Sequence, residues 1–138
     1  MQVTGKCHCE AISFRAEVDP GRAVLCHCTD CRVMSGGPYR SIIQTREIDF
    51  ELLSGKPKMY YKYGESGNRR ELAFCDTCGS HLYATSVGDE PNRFFGLRTG
   101  ILDQCEDLKP TLQVWCRSEV PWAQDVSQIQ RVDKVPGA

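Results

Sequence analysis

The sequence predicts a mainly β fold made of short antiparallel sheets. Runs of strand-forming residues recur along the chain, and turn signals rich in Gly, Pro, Asn and Asp separate them at close spacing. No amphipathic pattern extends beyond about three helical turns. With 138 residues, of which 41% are hydrophobic, the chain can bury one core. We therefore predict a single domain over residues 1–138, with its core at about 3–123 and a polar C-terminal tail.

The predicted elements of the first half surround a cysteine-rich segment. Over 11–18, apolar residues alternate with polar ones, which is typical of a strand with one wet face. A short strand at 23–25 then leads to one helical turn at 29–34, which a Gly-Gly-Pro sequence ends. Further strands are predicted at 39–44 and 48–53.

In the second half of the chain, only strands and turns are predicted. Its predicted strands and turns are strands at 58–63, 70–74, 81–86, 93–98 and 111–116, with turns at 54–57, 64–68 and 88–92. Aromatic residues in these segments are more often core than ligand platforms. We therefore expect core positions for Tyr60, Tyr61, Tyr63, Trp115 and Trp122.

Charge and apolar content exclude some function classes. The formal net charge of -1 argues against nucleic acid as a partner, because nucleic-acid binding requires a clearly basic face. No apolar run approaches the roughly 20 residues of a membrane span, so we expect no membrane partner. The N-terminus lacks the apolar segment of a signal peptide, which predicts a cytoplasmic location. There, clustered thiols more often bind metal or do chemistry than form disulfides.

Seven of the nine cysteines fall into three short groups, and Cys105 and Cys116 stand alone. The groups are Cys7-His8-Cys9, Cys26-His27-Cys28-Thr29-Asp30-Cys31 and Cys75-Asp76-Thr77-Cys78-Gly79. A C-x-x-C at a hairpin tip provides half of a tetrahedral zinc site, and a following glycine permits the positive φ that closes such a turn. In a strand, residues i and i+2 point to one face, so each C-x-C also supplies a pair of thiols.

Two pairings of these groups are open. In the first, Cys7 and Cys9 join the Cys75–Cys78 pair, and Cys26, Cys28 and Cys31, here called the triplet, form their own site. In the second, the C-x-x-C within the triplet joins the later C-x-x-C, as in a zinc ribbon. The first is favoured, because it leaves no C-x-C pair without a role.

The number of ligands decides what each site can do. Four cysteines close the coordination of zinc, so such a site only holds the chain together, whereas three leave a position for water or substrate. A low-molecular-weight thiol suits the open position, because zinc is soft enough to bind it and lowers its pKa. A three-thiolate site also holds metal less securely, so the second zinc is expected to be labile.

Four polar residues adjoin the groups. Arg32 could offset the thiolate charge or meet a substrate carboxylate, although a solvated arginine is as common at such a position. His8 and His27 point to the face opposite their neighbouring cysteines, so neither is expected to bind the same metal. His27 and His81 are expected to be packed histidines, with His27 an acid–base candidate. Cys105 and Cys116 are expected to be free thiols, either of which could close the triplet into a structural site.

The order of the cysteines resembles that of the glutathione-dependent formaldehyde-activating enzyme family, which includes centromere protein V-type domains. The residues beside the groups match as well: Gly5-Lys6 precedes the first group, Arg32 follows the second, and Gly79-Ser80 includes and follows the last glycine of the third. The later segments Gly100-Ile101-Leu102-Asp103 and Pro121-Trp122 are also similar to that family. The resemblance implies a β-tent fold with two zinc sites. It matches Cys7, Cys9, Cys75 and Cys78 to the structural zinc, and Cys26, Cys28 and Cys31 to the catalytic zinc.

The activity that this resemblance implies is a carbon–sulfur lyase reaction that forms S-hydroxymethylglutathione from glutathione and formaldehyde. The expected partners are a small-molecule thiol and an aldehyde, with glutathione as co-substrate. The sequence also allows a homodimer. The alternative function is a non-catalytic zinc-binding module that recognises a protein partner.

Overall fold

The computed structural model describes residues 1–88 and 92–137 and confirms a mainly β fold. Within these ranges the strands and the α-helix are β1 (Gln2–Lys6), β2 (Ser13–Glu17), β3 (Val24–Cys26), α1 (Thr29–Ser35), β4 (Arg40–Arg46), β5 (Phe50–Ser54), β6 (Lys58–Tyr63), β7 (Arg69–Phe74), β8 (His81–Ser86), β9 (Phe94–Arg98) and β10 (Leu112–Val114). Short 3₁₀ turns occupy several connections.

The smaller sheet contains three antiparallel strands in the order β1-β2-β5. The alternation on β2 is confirmed, since Phe14 and Ala16 are buried and Arg15 is exposed. Strand β1 has no counterpart among the predicted elements, because its Thr-Gly-Lys residues lack a strong apolar alternation. It forms by pairing with β2 along its full length.

The larger sheet contains seven strands in the order β10-β3-β4-β9-β8-β7-β6. Its neighbours are antiparallel except β10, which runs parallel to β3. The predicted antiparallel sheets are confirmed, and the pair of β10 with β3 adds one parallel edge. The long connection from β9 to β10, which includes two 3₁₀ turns, carries the chain back to run in the direction of β3.

The core lies between the two sheets. Phe50 of the smaller sheet contacts Tyr83 and Phe95 of the larger one, at ring-centroid distances of 5.3 and 5.1 Å. Ile43 and Leu97 are paired across β4 and β9 and are fully buried. Because side chains alternate along a strand, the residues beside these two, Ile42 and Arg98, line a cavity on the opposite face of the sheet.

Several predicted boundaries change. The strand expected at 48–53 begins at Phe50, after a 3₁₀ turn at Glu47–Asp49, and the last strand is only three residues long. The turn predicted at 88–92 lies partly outside the described residues.

The aromatic residues expected in the core are largely exposed: Tyr60, Tyr61, Tyr63, Trp115 and Trp122.

The described residues after Gln124 contain no helix or strand and are exposed. No helix within residues 1–88 and 92–137 has the length and apolar character that a bilayer span requires.

Candidate functional site

The first cysteine cluster joins two distant parts of the chain. Cys7 and Cys9 lie just after β1, and Cys75 and Cys78 lie between β7 and β8. Their ligand atoms are all within 4.8 Å of one another. The Sγ atoms of Cys7 and Cys9 are 3.6 Å apart, and those of Cys9 and Cys75 are 3.7 Å apart. The structure thus brings together the four thiols of the first pairing, while the triplet forms a separate group.

The C-x-x-C of this cluster is held by a tight turn. Gly79 has a φ of 78°, as predicted, and its N–H donates to the Cys75 carbonyl at 2.8 Å. The hydroxyl of Ser80 lies 3.3 Å from the Cys78 sulfur. Hydrogen bonds from the side chain and backbone of Ser80 lower the pKa of the Cys78 thiol to about 5. This sulfur is therefore already a thiolate at neutral pH and ready to bind a metal.

The sequence predicts that strands hold the two C-x-C pairs, but neither pair lies wholly on a strand. Cys9 lies in a turn that Glu10 continues with a φ of 64°, and the N–H of Ile12 donates to the Cys7 sulfur at 3.3 Å. Cys26 ends β3, whereas Cys28 lies beyond it. The backbone turns after the strands, rather than their alternation, bring these sulfurs together.

The triplet spans the junction between β3 and α1. Cys26 is the last residue of β3, Cys28 is the N-cap of α1, and Cys31 lies in its first turn. The three ligand atoms are within 4.8 Å of one another. The Sγ atom of Cys28 accepts a hydrogen bond from the N–H of Cys31 at 3.2 Å. The thiol therefore satisfies an otherwise free helix donor, and the helix start positions Cys31 beside its two neighbours.

The triplet favours one thiolate over the others. A hydrogen bond from Cys31 lowers the pKa of the Cys26 thiol. The same bond, together with burial, raises the pKa of Cys31 well above its usual range. Burial also raises the pKa of Cys28. The three thiols are close enough to share protons in this way, so a cation that replaces those protons is a chemically suitable ligand.

Both groups fit zinc. Tetrahedral zinc with sulfur ligands at about 2.3 Å requires sulfur–sulfur separations of about 3.8 Å. The two separations given above for the four-cysteine cluster are close to this value. The triplet offers three thiols, and the described residues contain no fourth His, Cys, Asp or Glu within 4.8 Å of all three. Cys105 and Cys116 are exposed free thiols outside both clusters.

A cavity of about 1050 Å³ opens beside the triplet. Cys26 and Cys31 line it, together with side chains from one face of the larger sheet. Two of these are arginines that sequence reasoning missed, Arg40 and Arg98, with exposed fractions of only 6% and 8%. Burial lowers the pKa of Arg40, while the three thiol groups of the triplet oppose that shift.

The arginine predicted from its position, Arg32, does not line this cavity. No local signal identifies Arg40, because the positions that share its face of β4 are mixed in character, with Ile42 apolar and Gln44 polar. Arg98 ends β9, and the positions that share its face, Gly96 and Phe94, likewise give no signal of a charged site.

The histidines take different positions. His8 is exposed, and His81 is half-buried. Burial and the charges of Arg40 and Arg98 lower the pKa of His81. His27 is 1% exposed, as expected for a packed histidine. Its Nε2 lies 2.7 Å from Gln113 Oε1. His27 does not join the triplet, since its ring groups instead with Cys116 and Glu119.

The comparisons with known proteins agree with this geometry. The family model for glutathione-dependent formaldehyde-activating enzyme matches residues 2–118. A crystal structure of a Rhodobacter sphaeroides protein is similar to this chain with a TM-score of 0.60 at 21% identity, and it covers 80% of this chain and 98% of the other. That likeness supports the fold. No curated protein is significantly similar in sequence.

Proposed function

The chain belongs to the glutathione-dependent formaldehyde-activating enzyme family, and from this premise we propose that it is a zinc-dependent carbon–sulfur lyase. Its substrates are glutathione, or a similar thiol, and a small aldehyde such as formaldehyde. The observation that carries the proposal is the position of the triplet. Two of its cysteines line a cavity of the size that small-molecule sites have, and no fourth ligand closes the group among the described residues.

The two clusters have different tasks in this proposal. Cys7, Cys9, Cys75 and Cys78 hold a structural zinc. The triplet holds a second, more labile zinc. When bound there, zinc lowers the pKa of a thiol ligand and supplies it as a thiolate.

The reaction is an addition that requires no oxidant. The sulfur of the thiol forms a bond to the carbonyl carbon, the π electrons move to the oxygen, and the proton lost by the thiol ends on that oxygen. The reverse reaction breaks the same carbon–sulfur bond. Arg40 and Arg98 place positive charge beside the site, which favours a thiolate over a thiol. The cavity wall shields that thiolate from bulk water.

Exchange NMR of glutathione and formaldehyde tests the proposal. The full-length, zinc-loaded protein should accelerate formation and breakdown of the adduct, and Cys31→Ser should abolish the acceleration. Cys105→Ser removes an exposed thiol outside both clusters and should behave like the parent. An exchange rate that stays at the uncatalysed value at high protein concentration contradicts the formaldehyde reaction, and full activity in Cys31→Ser contradicts the role of the triplet.

A second candidate function is a zinc-binding module for a protein partner. Exposed apolar side chains favour it, since Val33 and Tyr63 are each 72% exposed and line a smaller cavity of about 480 Å³ beside α1. The zinc of the triplet distinguishes the two functions. Glutathione should change its coordination in an enzyme, whereas a structural zinc should not respond to the thiol.

Two further expectations remain part of the proposal. We expect residues 1–138 to form one domain, with the tail after the segment that the family model matches. We also expect a cytoplasmic location, because a reducing compartment keeps the seven clustered thiols available for metal.

A further inference from the structure

The cavity beside the triplet carries a large excess of positive charge. Six of its lining side chains are arginine or lysine, and Asp30 is the only acidic one among the described residues. Some of this charge is already paired: Lys62 contacts Asp30, and Arg93 contacts Glu47 and Glu71, which do not line the cavity. Four arginines remain, and one of them, Arg22, is exposed to solvent. The excess charge that is withdrawn from solvent is therefore concentrated in the other three.

Three arginines, here called the arginine group, lack a carboxylate partner. Within residues 1–88 and 92–137, no carboxylate oxygen lies within 4.0 Å of the guanidinium groups of Arg40, Arg70 or Arg98. The Nε atom of Arg98 is buried without any hydrogen-bond partner. Its Nη1 atom donates a long hydrogen bond of 3.4 Å to the Gly96 carbonyl. A buried cation without a carboxylate partner is costly, because one neutral carbonyl does not replace its lost hydration.

Strand register explains why this charge collects beside the triplet. Cys26 pairs with Arg40 across β3 and β4, and Ile42 pairs with Arg98 across β4 and β9. Both arginines therefore lie on the cysteine side of the sheet. Arg70 reaches the same cavity from β7, two strands beyond β9. Burial and the neighbouring charge of Arg40 lower the pKa of Arg98 to about 9, as expected where positive charges outnumber negative ones.

The negative charge of the zinc-bound triplet alone does not balance the positive charge of the arginine group. Three thiolates with one Zn²⁺ carry a single net negative charge, which offsets one of the three arginines. Two positive charges of the arginine group remain without a counter-ion in the described part of the chain. A ligand with two negative charges would complete the site.

We propose that the arginine group recognises the carboxylates of the thiol substrate, so that the enzyme selects thiols carrying two carboxylates and rejects neutral thiols. This inference rests on the proposed function for the identity of the reaction. It goes beyond that function in assigning specificity to Arg40, Arg70 and Arg98. Charge-assisted bonds of this kind each raise affinity by about ten- to a hundredfold.

The test uses S-methylglutathione, which keeps both carboxylates but has no thiol to bind a metal. Isothermal titration of the full-length protein should show binding. Esterification of both carboxylates, and separately the Arg70→Gln change, should each weaken binding by about ten- to a hundredfold. Arg70 is only half-buried, so this variant is expected to fold. Arg98→Gln extends the test where circular dichroism shows a folded chain.

Arg15→Gln is the matched control, because it removes an equal charge from an exposed pair with Glu51 on the smaller sheet. It should leave binding unchanged. Equal affinity for the diester, or equal losses in Arg15→Gln and Arg70→Gln, overturns the inference. Arginine-dependent binding without any acceleration of adduct exchange supports the inference and contradicts the proposed reaction. Acceleration that is equally strong with 2-mercaptoethanol supports the reaction and contradicts the inferred selectivity.

Discussion

At the residue scale, Ser80 shows how one hydroxyl prepares a thiol for metal. Its Oγ atom lies 3.3 Å from the Cys78 sulfur and also accepts the N–H of His8 at 3.0 Å. The pKa of Cys78, lowered to about 5, makes the thiolate the dominant form over most of the physiological range. The hydrogen bonds to the Cys78 thiolate stabilise the folded protein, and this contribution is complete above the thiol's ordinary pKa of about 8.5. It is lost as the pH falls through about 5.

Ser80→Ala should therefore make the four-cysteine cluster release zinc at a higher pH than in the parent. Without the hydroxyl, the pKa of Cys78 rises and protons compete with the metal more effectively. Loss of about 1 kcal/mol moves the midpoint of acid-induced release upward by about 0.7 pH units. A chromogenic chelator follows the release. Ser127→Ala, which removes a hydroxyl that bonds Asp125 in the exposed residues after Gln124, serves as the control. An unchanged midpoint in Ser80→Ala would contradict the role of this bond.

At the element scale, α1 determines where Cys31 lies. Its first turn is capped by the sulfur of Cys28, and its last turn ends at Gly36 with a φ of 69°. The N–H of Gly36 donates to the Arg32 carbonyl at 3.0 Å. A seven-residue helix has little intrinsic stability, so both of its ends depend on such caps.

Gly36→Ala should destabilise the protein by about 1 kcal/mol, because a side chain strains the left-handed backbone conformation. No atom lies within 4 Å of the position that a Cβ would occupy, so the loss reports conformation and not a clash. Gly37→Ala is the matched control, since Gly37 has no such φ and its nearest neighbour would be 3.9 Å away. Urea unfolding of both zinc-loaded variants measures the difference, and equal stabilities would rule out this role of the cap.

At the scale of the whole molecule, the two clusters differ in what they connect. The four-cysteine cluster joins the smaller sheet, through the turn after β1, to the β7–β8 turn of the larger sheet. Cys9 and Cys75 are 66 residues apart in the chain. The triplet closes a loop of only a few residues. A cross-link restricts the unfolded chain more when the loop it closes is longer.

Cys9→Ser should therefore lower the unfolding free energy more than Cys28→Ser, by about 2 kcal/mol in the loop-closure model. The two changes are matched in chemistry, and serine can still cap α1 at position 28. Urea unfolding at saturating zinc, with metal content measured in parallel, provides the comparison. Equal losses, or a larger loss in Cys28→Ser, would contradict the assignment of the four-cysteine cluster as the one that holds the sheets together.

Sequence alone determined much of this protein. The β class, the strand at Lys58–Tyr63 and the strand at His81–Ser86 follow from local patterns. The triplet and the Cys75–Cys78 turn follow from spacing, because residues so close in the chain have few backbone routes to separate their sulfurs. Strand β1 and the exposure of Tyr60 and Tyr63 did not follow, since both depend on which strands pair and which strand lies at an edge.

Only the tertiary structure decided what surrounds the triplet. Arg40 and Arg98 are 58 residues apart, and they reach one cavity because β4 pairs with β3 on one side and with β9 on the other. A shift of register by one residue would turn either side chain to the opposite face of the sheet. Cysteine spacing is a local property that the chain carries in any fold. The charge that meets a ligand at those cysteines is set by non-local strand pairing, and only the folded sheet shows it.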